Sequence, residues 1–285
     1  MSARPVLGLT AGDPAGIGPE ILAACLRDPA LPANCRLHVV GPAAASSPGK
    51  PDTASARIAW DALEEAATLL RRGEIRGIVT GPVSKMGLHE AGFAYPGQTE
   101  FFAARSGTEN FAMCLTGGPL TVALVTIHLP LREVAGALRG GEIVRVGKLL
   151  HKFLQRRLAR EPRIAVAGLN PHAGEEGRFG DEEQKIIAPA VTELSAHGDF
   201  SGPFSPDTVF HRAAAGEFDG VLCMYHDQAL IPLKLLAFDT GVNVTLGLPF
   251  PRTSPDHGTA FEIAGTGRAG HRSMLAAIKL AAELL

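Results

Sequence analysis

Short apolar runs recur along the chain, and most are separated by stretches with helical spacing. Val6–Thr10, Arg36–Val40, Gly77–Thr80, Ile164–Ala167, Val221–Met224 and Val242–Leu246 read as strands. Between them lie helices at Glu20–Arg27, at Arg57–Arg72 with Gly73 as its stop, and at the C-terminus over Arg272–Leu285. Strands joined by helices must run parallel, because a tight hairpin reverses direction and a crossover does not. The chain is therefore expected to be α/β, with a mixed, mostly parallel sheet. The exception is Phe111–Leu115 and Leu120–Thr126, which flank the turn Gly117-Gly118-Pro119 and read as a hairpin.

Further elements follow from local signals. Thr99 is placed to cap a helix beginning near Glu100, and Val134–Leu158 reads as two helices broken at Gly140-Gly141. Asp181 is expected to cap a helix running to about Ala196, and Asp207–Ala215 reads as a short helix. Gly247–Ala264 reads as a long loop entering a short helix. Two interleaved lobes are expected, residues 1–125 with 250–285 and residues 126–249.

The 285 residues carry 46% hydrophobic and 20% charged side chains, a globular balance. A net charge of −2 provides no field for nucleic acid or an anionic membrane. Neither partner is expected. No apolar stretch is long enough to span a bilayer, and the first residues lack the apolar core of a signal peptide. Cys25, Cys35, Cys114 and Cys223 form no paired motif, which favours a reducing compartment, so a cytoplasmic location is expected.

In an open α/β sheet, ligands bind just past the carboxyl ends of strands. Three histidines occupy that position: His128, His172 and His226 each follow an apolar run. Any one of them alone reads as an ordinary structural histidine. Three in the same topological place read as ligands for a divalent metal, with Asp227 and Glu175 available to orient the rings. The loop Ala11–Glu20, AGDPAGIGPE, reads either as an anion cradle or as a tight strand-to-helix turn, because its glycine spacing matches neither dinucleotide nor P-loop patterns. Ser84 and Lys85 in TGPVSK read either as an anion holder or as the start of a solvated helix. No HExxH or GxSxG motif is present.

The segments GDPAGIGPE, TGPVSK, GQTE, IHLPL, GLNPHAGE, MYHDQALIPLK and GVNVTLGLPFPRTSPDHGTAFEIAG together resemble the 4-hydroxythreonine-4-phosphate dehydrogenase family of vitamin B6 synthesis. The resemblance runs from residue 8 to about residue 270. It implies a two-lobed α/β/α fold like that of isocitrate and isopropylmalate dehydrogenases. The stretch Asp256–Gly265 resembles their adenine-binding loop, so Asp256 and Gly258 are implied cofactor contacts. By the same resemblance, His128, His172 and His226 hold a divalent metal (Zn, Mg, Co or Mn) in a site shared across a homodimer. Gln98, Thr99, Lys234, Asn243 and Arg252 contact a small phosphorylated substrate, with Asp227 and Lys234 as candidate catalytic groups.

The implied reaction is NAD- or NADP-linked oxidation, with decarboxylation, of a 4-phosphorylated hydroxy acid. The leading substrate is 4-phosphohydroxy-L-threonine, on the route to pyridoxal phosphate. Two features depart from the family: Gln98 stands where pyridoxine-related members carry histidine, and the Ala43–Ser55 segment is short. They leave D-threonate or D-erythronate 4-phosphate, or a cyclic diol, as the alternative substrate. Phosphate acyltransferases share a related fold, and a non-catalytic metal or phosphate binding module is the remaining class.

Overall fold

A computed structural model describes residues 4–285. Met1–Ala3, assigned with the first lobe and the N-terminal reading above, lie outside the described residues. The chain divides into two units, one built from residues up to Glu109 with Val242–Leu285, the other from Asn110–Gly241. Both boundaries fall earlier than those read from the sequence.

The first unit holds strands β1 (Val6–Thr10), β2 (Arg36–Val40) and β3 (Gly77–Thr80), with helices α1 (Gly18–Cys25), α2 (Thr53–Arg72), α3 (Lys85–Glu90) and α4 (Gln98–Ser106). The second unit holds β4 (Ala112–Gly117), β5 (Leu120–Leu124), α5 (Leu131–Ala137), α6 (Gly140–Leu158), β6 (Arg163–Ala167), α7 (Ala188–Ser195), β7 (Asp199–Phe204), α8 (Val209–Ala214), β8 (Gly220–Cys223) and α9 (His226–Ala237). The chain then returns to the first unit with β9 (Val242–Leu246), β10 (Arg252–Pro255) and α10 (Arg272–Glu283).

In the first unit the strands lie in the order β2-β1-β3-β10-β9, parallel except where β10 meets β9. In the second the order is β4-β5-β8-β6-β7, parallel except for the β4–β5 hairpin. The first boundary falls before β4 because β4 pairs with β5, and β5 pairs with β8 of the same unit. Central strands such as β3 and β8 are buried throughout, as expected of strands covered on both faces, while the edge strand β2 alternates.

Helix α2 shows how sequence sets an element. Asp52 accepts from the Ser55 backbone N–H at 2.7 Å, and the Ser55 hydroxyl oxygen accepts from the Asp52 N–H at 3.2 Å, a reciprocal capping box. Gly73 ends the helix at φ 71°, in the left-handed region. Its buried face (Ala59, Leu63, Ala66) packs into a core with Ile78, Phe101 and Phe102. The second unit's core gathers Leu115, Val122, Leu124, Val221 and Leu233.

Several expectations shift. Gly97 caps α4, and Thr99 lies inside the helix with its hydroxyl turned to other work. The break in the 134–158 stretch falls at Leu138-Arg139, and the two glycines open α6. The helix expected after Asp181 begins as a π-helical turn, Glu183–Ile187. Strands β7 and β10 have no counterpart in the sequence reading. Each carries proline, at 203 and 255, a residue depleted in strands. All four cysteines are buried and unpaired; burial pushes the Cys25 and Cys114 thiols up to about 12. No helix among the described residues is long and apolar enough to cross a membrane.

The capping box gives a direct check. Asp52→Ala is expected to destabilise the fold by about 1 kcal/mol, moving the urea unfolding midpoint down, whereas Asp52→Asn keeps an acceptor and most of the stability.

Candidate active site

The first unit contains a guanidinium with unusual surroundings. Arg252, the first residue of β10, is 4% exposed. Its Nη1 donates to Thr245 Oγ1 (3.2 Å) and Thr99 Oγ1 (3.3 Å), and its Nη2 to Thr80 Oγ1 (2.8 Å) and Gln98 Oε1 (3.3 Å). Its Nε is buried with no hydrogen-bond partner. Every acceptor is neutral. Burial pushes the Arg252 pKa down to about 10, with the charge of Glu100 pulling the other way. A buried cation without a bonded carboxylate is costly to hold. A carboxylate or phosphate could supply the charge complement that these neutral acceptors do not.

Gln98 is locked on both sides: its Nε2 donates to the Gly81 carbonyl at 3.1 Å while its oxygen faces Arg252. Sequence reasoning found Gln98, Thr99 and Arg252, which the fold brings together. It missed Thr80 and Thr245, whose only signal is a hydroxyl at or near a strand end. Asn243 lies on β9, opposite Ser254 of β10.

The glycine-rich loop is a packed turn. The N–H groups of Asp13, Ala15, Gly16 and Ile17 go to Pro82 O, Asp13 Oδ1, Asp13 O and Thr259 O, all within 2.9–3.0 Å. Those four donors are engaged within the protein. A Cβ on Gly18 would lie 1.8 Å from the Ala11 carbonyl, so that glycine permits close chain packing. Ser84 caps α3 through the Gly87 N–H at 3.1 Å, and Lys85 is exposed at its start.

The loop after β10 packs on this turn through the Ile17 N–H to Thr259 O bond. There the Asp256 N–H donates to Ser273 Oγ at 3.1 Å, His257 Nε2 is buried without a partner, and Gly258 has open space around it.

In the second unit, β5, β8 and β6 are adjacent and parallel, so the segments that follow them leave the same edge of the sheet. These segments carry His128, His226 and His172. The His128 and His226 rings lie 5.5 Å apart between centroids. The Asp227 carboxylate holds His226 Nδ1 at 2.7 Å, which leaves Nε2 as the free nitrogen. His172 stands on a turn with left-handed backbone, its ring 6.2 Å from Phe179.

Two neighbouring imidazoles, one oriented by a carboxylate, suit a divalent cation. Among the described residues of one chain, however, no group of three or more His, Cys, Asp or Glu side chains is gathered to hold one. Lys234 lies on α9, 5.9 Å from the Phe238 ring centroid.

This geometry defines an α/β protein with a buried arginine held by neutral acceptors and a histidine-lined sheet edge. Comparison with known proteins narrows it. The sequence pattern described as "Pyridoxal phosphate biosynthetic protein PdxA" matches residues 24–281, and the chain belongs to that family of oxidoreductases. A 4-hydroxythreonine-4-phosphate dehydrogenase of Geobacter metallireducens is 44% identical over 324 aligned positions, covering 99% of this chain and 96% of its own. A Salmonella typhi relative with a provisional D-threonate 4-phosphate dehydrogenase name is 40% identical, covering 98% of each chain.

The crystal structure of a Klebsiella pneumoniae 4-hydroxythreonine-4-phosphate dehydrogenase superposes with a TM-score of 0.88 at 40% identity, covering 100% of this chain and 99% of that one. An isocitrate dehydrogenase of Methylococcus capsulatus shares the fold alone, with a TM-score of 0.52 at 14% identity over 95% of this chain and 83% of that one.

The uncompensated cation makes a sharp test. Arg252→Met is expected to weaken inorganic phosphate binding, measured by calorimetry, by roughly tenfold or more. Its Tm is expected to stay level or rise, since the buried charge is removed and the hydroxyls around it can pair with one another.

Proposed function

We propose that the chain oxidises a 4-phosphorylated hydroxy acid, 4-phosphohydroxy-L-threonine foremost, with NAD or NADP as hydride acceptor. The observation that carries this reading is the buried Arg252, ringed by neutral oxygens with Nε unmatched. It supports a site for a substrate anion. Asn243, Thr99 and Lys234 are the further substrate contacts, and Asp256 and Gly258 face the cofactor. The acyltransferase and non-catalytic alternatives give way to a dehydrogenase, because the curated relatives that cover the whole chain carry that activity.

His128, His172 and His226 would hold a divalent metal, with the set completed between two copies of the chain. Such a cation, when bound, supplies Lewis-acid polarisation of the substrate's oxygens. A bound nicotinamide supplies the hydride acceptor. The rest falls to the protein's own groups. Asp227 fixes the His226 ring and presents a carboxylate oxygen able to take or return a proton. Arg252 and Lys234 neutralise the substrate's anionic ends. Thr99 orients the guanidinium and offers a hydroxyl beside it.

Homodimerisation is supported by α9, the helix that begins at His226. Ile231, Leu235 and Phe238, one helical face at i, i+4 and i+7, are 68%, 82% and 76% exposed. An apolar stripe of that kind calls for a covering surface, and a second copy provides one next to the histidine.

Gln98 is the observation that favours the second substrate reading, D-threonate or D-erythronate 4-phosphate. Its amide accepts from Arg252 and cannot carry a positive charge. A histidine in its place could present a proton to the substrate.

Three outcomes check these roles. Reduced-nicotinamide absorbance is expected only with 4-phosphorylated hydroxy acids and is expected to vanish with a chelator. His226→Ala is expected to lose bound metal and turnover together; retention of both would remove the histidine site. Gln98→His is expected to shift relative kcat/KM toward 4-phosphohydroxy-L-threonine over D-threonate 4-phosphate, and an unchanged ratio would remove Gln98 from specificity.

A further inference from the structure

The turn that carries His172 is held in a conformation it would not adopt alone. His172, Ala173, Gly174, Glu175 and Glu176 follow one another at φ 55°, 52°, 82°, 41° and 58°. Four of these five bear a Cβ, and each such residue in the left-handed region costs on the order of 1 kcal/mol. Strain of this size persists only where the surroundings impose it.

The imposing group is Glu183, 3% exposed, at the head of the π-helical turn. Its Oε1 accepts from the backbone N–H groups of Leu169 and Asn170, both at 2.7 Å, and its Oε2 accepts from Asn170 Nδ2 at 3.0 Å. A Cβ on Gly174 would lie 2.7 Å from Oε2, and one on Gly168 would lie 3.1 Å from Oε1. The carboxyl group therefore occupies the space inside the turn, and the glycines at 168 and 174 leave room for it.

Gln228 adds a second tie. It is 6% exposed, its Nε2 donates to the Gly168 carbonyl at 2.7 Å, and its Oε1 accepts from the Met224 N–H at 2.7 Å. The exit of β6, leading to His172, is thereby bonded to the exit of β8, leading to His226. π-Helical turns recur at functional sites, and here the extra residue aims a carboxyl group at a loop.

We propose that Glu183 is the positioning residue of the His172 turn: through Leu169, Asn170 and the space under Gly174 it fixes where the imidazole stands. The consequence for metal binding rests on the reading of His172 as a ligand. Both oxygens of Glu183 are engaged by the turn, so it acts through His172.

Glu183→Gln tests this with minimal change of shape. One oxygen still accepts from the two backbone N–H groups, but the new amide N–H₂ faces the Asn170 Nδ2 donor. Asn170 cannot reverse without losing its bond to Glu182 Oε2 at 2.7 Å. In hydrogen–deuterium exchange, peptides spanning 168–177 of the variant are expected to exchange roughly tenfold faster or more, while 226–237 is unchanged. Equilibrium dialysis of Co²⁺ against the metal-free protein is expected to show affinity lowered about 10- to 100-fold, with Tm within a few degrees of wild type.

Adding Asn170→Ala removes the clashing donor, so the double variant is expected to move back toward wild type in both readouts. Unchanged exchange at 168–177 would overturn the proposal. So would acceleration spread evenly over 110–241, or a double variant no better than the single one. If the wild-type protein binds no Co²⁺, the metal reading fails separately, and the exchange data still decide the role of Glu183.

Discussion

A guanidinium buried among hydroxyl and amide oxygens is expensive to hold, and the first unit is arranged around that cost. Thr80 ends β3, Thr245 lies on β9, Gln98 and Thr99 open α4, and all four turn acceptors toward Arg252. Each gives partial compensation that a carboxylate would give in full. A carboxylate there would also fill the place of an anionic ligand. The neutral ring keeps the cation in place and leaves its charge uncompensated, which in the proposed substrate site would retain the binding energy of an anion for recognition. If Arg252 has the proposed role, stability and function pull in opposite directions at this position, a common condition of active sites.

The sequence made the alternation of strand and helix visible because apolar runs and helical spacing are local signals. It also placed the three histidines after strands. That β5, β8 and β6 lie side by side is a matter of topology, which no local pattern carries. Strand β10 reads as loop in the sequence because Pro255 and a polar run, Arg252-Thr-Ser, mask it; pairing with β3 and β9 overrides propensity. The glycine-rich loop looked equally like a cradle or a turn. Only the fate of its N–H groups decides between them, and those of Asp13, Ala15, Gly16 and Ile17 bond within the protein. Thr99 resembled a helix cap from its place before Glu100, whereas Gly97 starts the helix and frees the hydroxyl for Arg252.

The second unit shows a different division of labour. His226 stands at the first position of a regular helix and has its orienting carboxylate next door at Asp227. His172 has no such regular frame. Its turn runs against the preference of four side-chain-bearing residues and is braced from a distance by a residue eleven positions on. Proximity in sequence sufficed to suggest Asp227. Nothing near His172 in the sequence pointed to Glu183, because a backbone N–H leaves no trace in residue identity.

The first unit is assembled from two lengths of chain separated by the whole of the second. Synthesis delivers these pieces in a fixed order. Residues 110–241 emerge as one continuous stretch and carry both members of the pairings β4–β5, β5–β8, β8–β6 and β6–β7. Strand β3 must wait for its partner β10, which emerges only after the whole of the second unit. Through most of translation, then, one side of β3 is an open parallel edge of buried-type residues, the kind of edge that templates misassembly. The buried guanidinium of Arg252 arrives on the same strand that closes this edge. A ribosome-bound chain that has not yet made β10 therefore lacks that guanidinium, and the four acceptors that surround it have no cation to hold.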